Sequence, residues 1–243
     1  EFLQRHFSPE NLRGGQVALN GLNGTAATMA ELVATVFELP VTWFRKSPGP
    51  IPEQGADPAN PGLAEEMRGF MSGSGFSLGV AWDGDCDRCV CFDGSGELIP
   101  TYYLMGLLVD HFLTRNPGGA IVFDTKLCWN TLDMINRGGG KAVPAETGHA
   151  FMKQKMHQHG AVYGGELSSH HYFGDFFGCD SGMFAWLTVL KLLDEKGESI
   201  QALIRERRDE IYCTPEITLS LSDVDAAFAL MLKAYGDKAS DVD

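Results

Sequence analysis

The sequence predicts an α/β fold with two successive α/β domains, followed by the start of a third domain. Apolar strand-like runs alternate with amphipathic helical stretches in two successive blocks, which is typical of α/β proteins. A cluster of aspartates directly follows one of these apolar strands, where ligand sites of open α/β sheets gather. A new strand-and-helix pattern then starts near the end of the chain.

The first block contains strand, helix and loop patterns in a regular order. The predicted strands are Gly15–Asn20, Val41–Lys46 and Ser77–Trp82, and the predicted helices are Gly24–Leu39 and Leu63–Met71. The stretch from Ser47 to Gly62 is too rich in proline and glycine for regular structure. Because the strand ending at Trp82 is apolar on both faces, we expect it to be buried within the sheet.

The second block repeats this alternation. The predicted helices are Tyr102–Asn116, Trp129–Gly140, Gly148–Gly160, Met183–Leu193 and Ile200–Arg208, and the predicted strands are Ala120–Asp124, Lys141–Glu146 and Ala161–Glu166. After it, Glu216–Ser222 alternates like a half-exposed strand, and an apolar stripe beyond Val224 predicts a helix with a capping box from Ser222 to Asp225. These patterns indicate two α/β domains and a third domain that the chain does not finish.

Composition limits the classes of function. The chain has 243 residues, 44% hydrophobic and 21% charged, with a net charge of −13. This acidity disfavours nucleic-acid binding, and the short basic run Arg205–Arg208 is typical of a solvated helix face. Small anionic substrates remain possible, because they respond to the local field of a pocket.

The sequence also bears on cell compartment and metal type. No apolar run reaches the roughly 18–20 residues of a membrane span, and the first residues lack a signal-peptide pattern, so a cytoplasmic protein is expected. The chain begins without methionine, and both ends look truncated. Three of the six cysteines crowd into Cys86–Cys91, which favours reduced thiols. A zinc site at Cys86 and Cys89 would lack further ligands.

Three aspartates at alternate positions pose the main chemical question. Asp83, Asp85 and Asp87 precede Arg88, and carboxylates so close raise one another's pKa unless a cation sits among them. A hard divalent ion such as Mg²⁺ suits oxygen ligands, while the alternative is a solvated acidic turn. An EF-hand does not fit, because Arg88 and Gly94 occupy the positions that need glycine and glutamate.

Three motifs together resemble the α-D-phosphohexomutase superfamily, most closely its bacterial phosphomannomutase branch. They are "DGDCDR" at Asp83–Arg88, "TGHAFMKQKM" at Thr147–Met156 and "GGELSSHHYF" at Gly164–Phe173. The resemblance covers essentially the whole chain. It implies that residues 1–98 and 99–208 are domains 2 and 3 of a four-domain enzyme, two related α/β domains with mixed sheets. It also implies that residues 209–243 begin domain 4, a smaller α+β domain.

The resemblance also implies a reaction. Members carry a phosphoserine in domain 1 that phosphorylates a hexose phosphate, forming a bisphosphate that reorients and returns its other phosphate. Asp83, Asp85 and Asp87 would hold Mg²⁺ against the phosphoserine, and Arg88 would add a fixed cation. Domain 1 would then be a partner outside this chain, and the chain alone would be inactive.

The remaining motif residues would handle the sugar phosphate. By resemblance, Glu166 and Ser168 grip sugar hydroxyls, with His170 beside them, and a carboxylate next to a hydroxyl suits a polyol. Lys126 and His149 map to positions facing the reacting phosphate and sugar, where either could move a proton or neutralise charge.

The sequence therefore indicates part of a phosphomannomutase that interconverts mannose 1-phosphate and mannose 6-phosphate with Mg²⁺. Two alternatives remain open at this point. One is a phosphoglucomutase or dual-specificity mutase, and the other is a non-catalytic module that binds a sugar phosphate or a metal. The expected ligand is a hexose phosphate, with neither nucleic acid nor membrane as a partner.

Overall fold

The computed structural model describes residues 1–13, 15–214, 217 and 219–238. It divides into two compact units, Glu1–Tyr212 and Cys213–Asp243. The first unit contains two sheets that each combine parallel and antiparallel strands. This confirms the predicted α/β fold with two mixed sheets, while the boundary at residues 98 and 99 stays a prediction.

The first sheet has the strand order β2-β1-β3-β4. Its strands are β1 (Val17–Asn20), β2 (Val41–Trp43), β3 (Leu78–Trp82) and β4 (Cys89–Asp93). β1 runs parallel to β2 and β3, and β4 pairs with β3 in antiparallel register, Trp82 opposite Cys89 and Leu78 opposite Asp93. The sequence predicted the first three strands and missed β4, because this short run is buried throughout and shows no alternation.

The second sheet has the order β6-β5-β7-β8-β9. Its strands are β5 (Ala120–Asp124), β6 (Lys141–Ala145), β7 (Tyr163–Gly165), β8 (His171–Phe173) and β9 (Cys179–Asp180). β5 is parallel to β6 and β7, whereas β8 is antiparallel to both of its neighbours. The sequence did not predict β8 and β9, which are three and two residues long.

The two sheets share one topology. The order β2-β1-β3-β4 corresponds to β6-β5-β7-β8, with the antiparallel strand in the same place. Consequently the loop from β3 to β4 and the loop from β7 to β8 are equivalent connections. Each leaves the carboxyl end of a buried parallel strand, where α/β proteins place their ligand sites.

Helices cover the sheets of the first unit. They are α1 (Ala26–Val36), α2 (Pro61–Met71), α3 (Thr101–Arg115), α4 (Cys128–Arg137), α5 (His149–His159), α6 (Gly182–Lys196) and α7 (Ile200–Glu210). Leu63, Met67 and Met71 of α2 pack on the first sheet, and Met152 and Met156 of α5 pack on the second. Each predicted helix is present within a few residues of its expected ends.

Helix α6 ties the second half of the first unit to the first sheet. Trp186 of α6 and Trp82 at the end of β3 are fully buried and meet edge to face, with ring centroids 5.3 Å apart. The Gly182 backbone N–H at the start of α6 donates to the Cys86 carbonyl, 3.2 Å away. The aspartate-bearing loop after β3 thus rests directly on α6.

The second unit contains α8 (Val224–Tyr235). Its N-cap is Asp223, which accepts from the Ala226 backbone N–H at 2.9 Å, so the capping box predicted from Ser222 to Asp225 is wrong. The predicted strand Glu216–Ser222 lies partly outside the described residues, and residues 217 and 219–222 form no strand. Within the described part of the chain, no helix combines the length and apolarity needed to cross a membrane.

The close packing of Gly182 against Cys86 and Trp82 leads to a prediction about stability. A Cβ at this position would lie 2.7 Å from both the Cys86 carbonyl oxygen and the Trp82 ring. We expect Gly182→Ala to lower the free energy of unfolding in urea by about 1–3 kcal/mol, as overpacking does.

Gly69, exposed in α2, is the matched control, because a Cβ there meets nothing within 4 Å. Gly69→Ala should raise the free energy of unfolding by about 0.5–1 kcal/mol, since alanine loses less backbone entropy in a helix. Equal effects of the two substitutions would contradict the packing described for Gly182.

Candidate metal and substrate site

The two equivalent loops pair with each other. We call residues 83–88, between β3 and β4, the aspartate loop, and residues 166–170, between β7 and β8, the glutamate loop. Arg88 and His170 form an antiparallel bridge between them, and the Cys89 N–H donates to the Ser169 carbonyl at 3.0 Å. The side chains that the sequence assigned to a metal and to a sugar therefore come together at one place.

Backbone hydrogen bonds hold the aspartate loop on its other sides. The Thr25 N–H donates to the Gly84 carbonyl at 3.0 Å, which fixes the loop against the start of α1. Gly24 must be a glycine there, because a Cβ would lie 2.5 Å from the Gly84 carbonyl oxygen. Within the loop, the Cys86 N–H donates to the Asp83 carbonyl at 3.3 Å. These contacts define where the aspartate side chains project.

Asp83 and Arg88 form the inner part of the loop. Asp83 is 3% exposed and accepts from the Arg88 backbone N–H at 3.2 Å and from the Arg88 Nε at 2.6 Å. Arg88 Nη1 lies 3.9 Å from Asp57, a residue that the sequence analysis missed. One Asp83 oxygen thus holds the Arg88 backbone and the other orients the guanidinium, which places a fixed positive charge beside the other two aspartates.

The carboxylates of the three aspartates Asp83, Asp85 and Asp87 lie close together, as their spacing in the sequence predicted. One carboxylate oxygen from each lies within 4.8 Å of the others. Burial and the Asp83 carboxylate raise the pKa of Asp87, although His170 opposes the shift. Asp87 Oδ1 is buried and receives no hydrogen bond from the described residues, while His170 Nε2 lies 3.4 Å away. An oxygen-rich cluster with an unsatisfied carboxylate fits a hard divalent cation.

The cysteines of this region do not offer thiolates. Burial and the Asp83 charge raise the pKa of Cys86 to about 12, and Cys89 is also a buried thiol with a raised pKa. Metal binding by cysteine needs the deprotonated form. Both thiols thus favour their protonated form, whereas the aspartates present carboxylate oxygens.

Glu166 is the centre of the glutamate loop. It is 2% exposed and accepts from the Gly148 N–H at 2.7 Å and from the Tyr172 hydroxyl at 2.6 Å, and His170 Nδ1 lies 3.3 Å away. Burial opposes its ionisation, but these three partners outweigh burial and lower the pKa of Glu166. Glu166 therefore stays ionised at neutral pH.

His170 links the two loops through its ring. Its Nδ1 contacts Glu166 and shares a hydrogen bond of 2.8 Å with the exposed Ser168 hydroxyl, and its Nε2 faces Asp87. Burial lowers the pKa of His170, but the carboxylates of Glu166 and Asp87 outweigh burial and raise it. The imidazole thus lies between the Glu166 and Asp87 carboxylates, both of which favour its protonated form.

The structure leaves Lys126 and His149 apart from this contact network. Lys126 follows β5 and His149 starts α5, and both residues are exposed. Their side chains form no hydrogen bond or ion pair with other described residues. Both follow strands at the carboxyl edge of the second sheet, near residues that do contact the glutamate loop, Asp124 for Lys126 and Gly148 for His149.

Sequence reasoning missed several polar residues at this edge. They are Asp57 beside Arg88, Asp124 at the end of β5, Tyr172 beside Glu166, and the pair of Lys153 and Asp180 at 2.9 Å. Asp180 can also approach Asp87 and His170. Asp124 carried a usable signal, because it ends an apolar strand as a carboxylate, in the manner of the residue after β3.

Comparisons with known proteins agree with this arrangement. Residues 100–211 match the family described as phosphoglucomutase/phosphomannomutase, alpha/beta/alpha domain III. The phosphohexose mutases of Xanthomonas campestris pv. campestris are 38% identical over 245 residues, covering 100% of this chain and 54% of theirs. The chain belongs to the phosphohexomutase family. The phosphomannomutase of Escherichia coli K12 is 36% identical over 244 residues, covering 98% and 54% respectively.

Solved structures show the same fold. A phosphoglucomutase/phosphomannomutase family protein from Burkholderia thailandensis superposes with a TM-score of 0.73 at 24% identity, over 84% of this chain and 46% of that one. The chain spans about half the length of the curated relatives it matches. The recognised family and the two-sheet fold predicted from sequence are thus confirmed.

The charged environment of Glu166 predicts a pH-dependent effect for Tyr172→Phe. This change removes a hydrogen bond to a carboxylate, so it should cost about 1.5–3 kcal/mol of unfolding free energy at neutral pH. Because the folded-state pKa of Glu166 is lowered, this stabilisation is present above its ordinary value of 4.5 and is lost as pH falls through the folded value. Urea unfolding at pH 7 and pH 4 should therefore show a smaller cost at pH 4.

Tyr163→Phe is the matched control. The Tyr163 hydroxyl shares a hydrogen bond of 2.7 Å with His171 Nδ1, and burial lowers the pKa of His171 to about 3. Its partner therefore stays neutral over the same range, and the cost of Tyr163→Phe should stay constant from pH 7 to pH 4. A constant cost for Tyr172→Phe would show that Glu166 is not the titrating partner.

Proposed function

We propose that this chain is part of a phosphomannomutase that interconverts mannose 1-phosphate and mannose 6-phosphate through an enzyme phosphoserine and a hexose bisphosphate. The observation that carries the proposal is the pairing of the aspartate loop with the glutamate loop. Three carboxylates and a fixed arginine lie next to a carboxylate, a hydroxyl and an imidazole. Phosphoryl transfer to a sugar needs both sets of groups side by side.

In this proposal Asp83, Asp85 and Asp87 hold Mg²⁺. The unsatisfied Asp87 oxygen and the convergence of the three carboxylates support this choice. When bound, the ion would offset the charge that develops on the transferring phosphoryl oxygens. Arg88, oriented by Asp83, would bind the same phosphoryl group from the protein side.

The glutamate loop would bind the hexose. Glu166 Oε1 accepts one hydrogen bond and Oε2 has two partners, so Oε1 retains a lone pair for one sugar hydroxyl. The exposed Ser168 hydroxyl can bind a second hydroxyl. His170, with its raised pKa, would keep a positive charge between sugar and phosphate. Lys126 and His149 would contact the phosphate or the sugar from the neighbouring loops.

The phosphoryl carrier would come from elsewhere in the full-length protein. We propose that an N-terminal domain carries the phosphoserine and that residues 209–243 begin a C-terminal domain, since the curated relatives are about twice as long. The 243-residue chain alone should then be inactive. A phosphoglucomutase or dual-specificity mutase is the second candidate, because Glu166 and Ser168 are assigned to hydroxyls other than the one that distinguishes mannose from glucose.

Asp85→Asn tests the metal site. Asp85 is exposed, so the change removes a ligand charge without disturbing the core. In calorimetry on the 243-residue chain, Asp85→Asn should bind Mg²⁺ more weakly than wild type or give no heat of binding. Asp93→Asn should keep it, since Asp93 lies in register with Leu78, at the opposite end of β3 from the aspartates. Unchanged binding by Asp85→Asn would remove the assignment.

Glu166→Gln tests the reaction in the full-length protein. We expect wild type to turn over mannose 1-phosphate. Glu166→Gln should lower kcat/KM for mannose and glucose phosphates alike, a loss of about 1.5–3 kcal/mol of transition-state stabilisation in each case. Glu198→Gln, exposed beyond the far end of α6, should have no effect.

Controls in the same coupled assay separate the alternatives. The 243-residue chain should show no turnover above background, and comparable values for mannose and glucose phosphates would support a dual-specificity mutase. A full-length protein without mutase activity would favour the non-catalytic module. A loss confined to mannose would show that Glu166 reads the hydroxyl at C2.

A further inference from the structure

Asp124 occupies a position where three loops meet. It ends β5, is 1% exposed, and accepts hydrogen bonds from three segments. Its Oδ1 accepts from the Lys126 backbone N–H at 3.0 Å and from the Thr147 hydroxyl at 3.1 Å, and its Oδ2 accepts from the Leu167 N–H at 3.5 Å. These donors follow β5, β6 and β7 respectively, so one carboxylate joins three successive strand-end connections.

The equivalent residue of the first sheet shows what is special about this one. Asn20 ends β1, the counterpart of β5, and is equally buried. Its Oδ1 accepts from the N–H of Leu22, two residues later in the chain, at 3.0 Å. Asp124 makes the same contact with the N–H of Lys126. An asparagine therefore suffices to hold the local turn. The contacts of Asp124 to Thr147 and Leu167 go beyond that requirement.

Each loop that Asp124 holds carries a residue assigned above to the substrate. Lys126 lies on the first loop. The second loop carries Thr147, then Gly148, whose N–H donates to Glu166, and then His149. Leu167 lies between Glu166 and Ser168. Two buried carboxylates thus connect the glutamate loop to the loop after β6. Asp124 does so through Leu167 and Thr147, and Glu166 through Gly148.

We propose that Asp124 is a positioning residue of the mutase reaction, which sets the three substrate-facing loops of the second sheet as one unit. This inference rests on the proposed function for its kinetic part. A carboxylate offers acceptors on both oxygens, whereas an amide offers one acceptor and one donor group. In Asp124→Asn the amide nitrogen would face the Leu167 N–H, and two donors cannot pair. The glutamate loop would then lose its hydrogen bond to the Lys126 loop and stay joined to the His149 loop through Gly148 alone.

Asp93 is a matched control for burial and hydrogen bonding. It is 3% exposed and accepts from the Ser95 N–H at 2.8 Å, the Ser95 hydroxyl at 2.6 Å and the Glu97 N–H at 3.0 Å. It lies at the end of the first sheet remote from the aspartate loop. All three bonds end on Oδ1, so the amide oxygen of Asp93→Asn can keep them, and the change removes a buried charge without changing catalysis.

The first experiment is hydrogen exchange on the 243-residue chain, and it does not depend on activity. Asp124→Asn should speed amide exchange together in residues 125–127, 146–149 and 166–170, whereas Asp93→Asn should leave exchange in these three segments unchanged. Faster exchange confined to residues 125–127 in Asp124→Asn would overturn the inference, because Asp124 would then hold its own turn alone.

The second experiment measures mutase kinetics of the full-length protein. Asp124→Asn should lower kcat/KM on the order of tenfold to a hundredfold, the scale expected when reacting groups are misplaced. Thr147→Val should lower it in the same direction and Thr147→Ser should restore it, since serine keeps the donor hydroxyl. The double variant Asp124→Asn with Thr147→Val should lose less than the product of the two single losses.

The outcomes separate this inference from the proposed function. An inactive wild-type protein would refute the proposed function, and the exchange pattern would still decide whether Asp124 couples the three loops. An active wild type in which Asp124→Asn reduces kcat/KM no more than Asp93→Asn would overturn the positioning role and leave the proposed function standing.

Discussion

Pairing between two equivalent strand-end loops is the constraint on which the site depends. The aspartate loop and the glutamate loop occupy the same place in two sheets of the same topology, and they join through the Arg88–His170 bridge and the Cys89–Ser169 hydrogen bond. The contacts are made by backbone atoms. The side chains that project from the loops are consequently free to differ, one set being three aspartates and the other a glutamate, a serine and a histidine.

Charge compensation explains how so many carboxylates share this place. Asp83 is neutralised by Arg88, and Glu166 by hydrogen-bond donors and His170, so each has its own partner. Asp87 shares His170 with Glu166 and keeps a buried oxygen without a donor. The cluster therefore has a residual negative charge, and it falls on the side where a cation would be bound. Arg88 nevertheless places a fixed positive charge inside this acidic cluster.

Sequence patterns predicted the features that depend on local order along the chain. The alternation of apolar strands and helices predicted the fold, and the spacing of Asp83, Asp85 and Asp87 after β3 predicted the acidic cluster. The pattern failed for β4 and β8, because short strands buried on both faces look like loops with apolar residues. It also could not foresee that Tyr172 would bind Glu166, since that contact depends on the register of β7 with β8.

The support beneath the aspartate loop has a thermodynamic consequence for ion binding. Hydrogen bonds to Gly84 and Cys86 and the bridge at Arg88 fix the backbone on three sides before any ligand arrives. An ion that enters such a loop does not have to order it, so little conformational entropy opposes binding. Affinity should then be governed by dehydration of the ion and by the surrounding charges, which makes it sensitive to ionic strength and insensitive to the local flexibility of the chain.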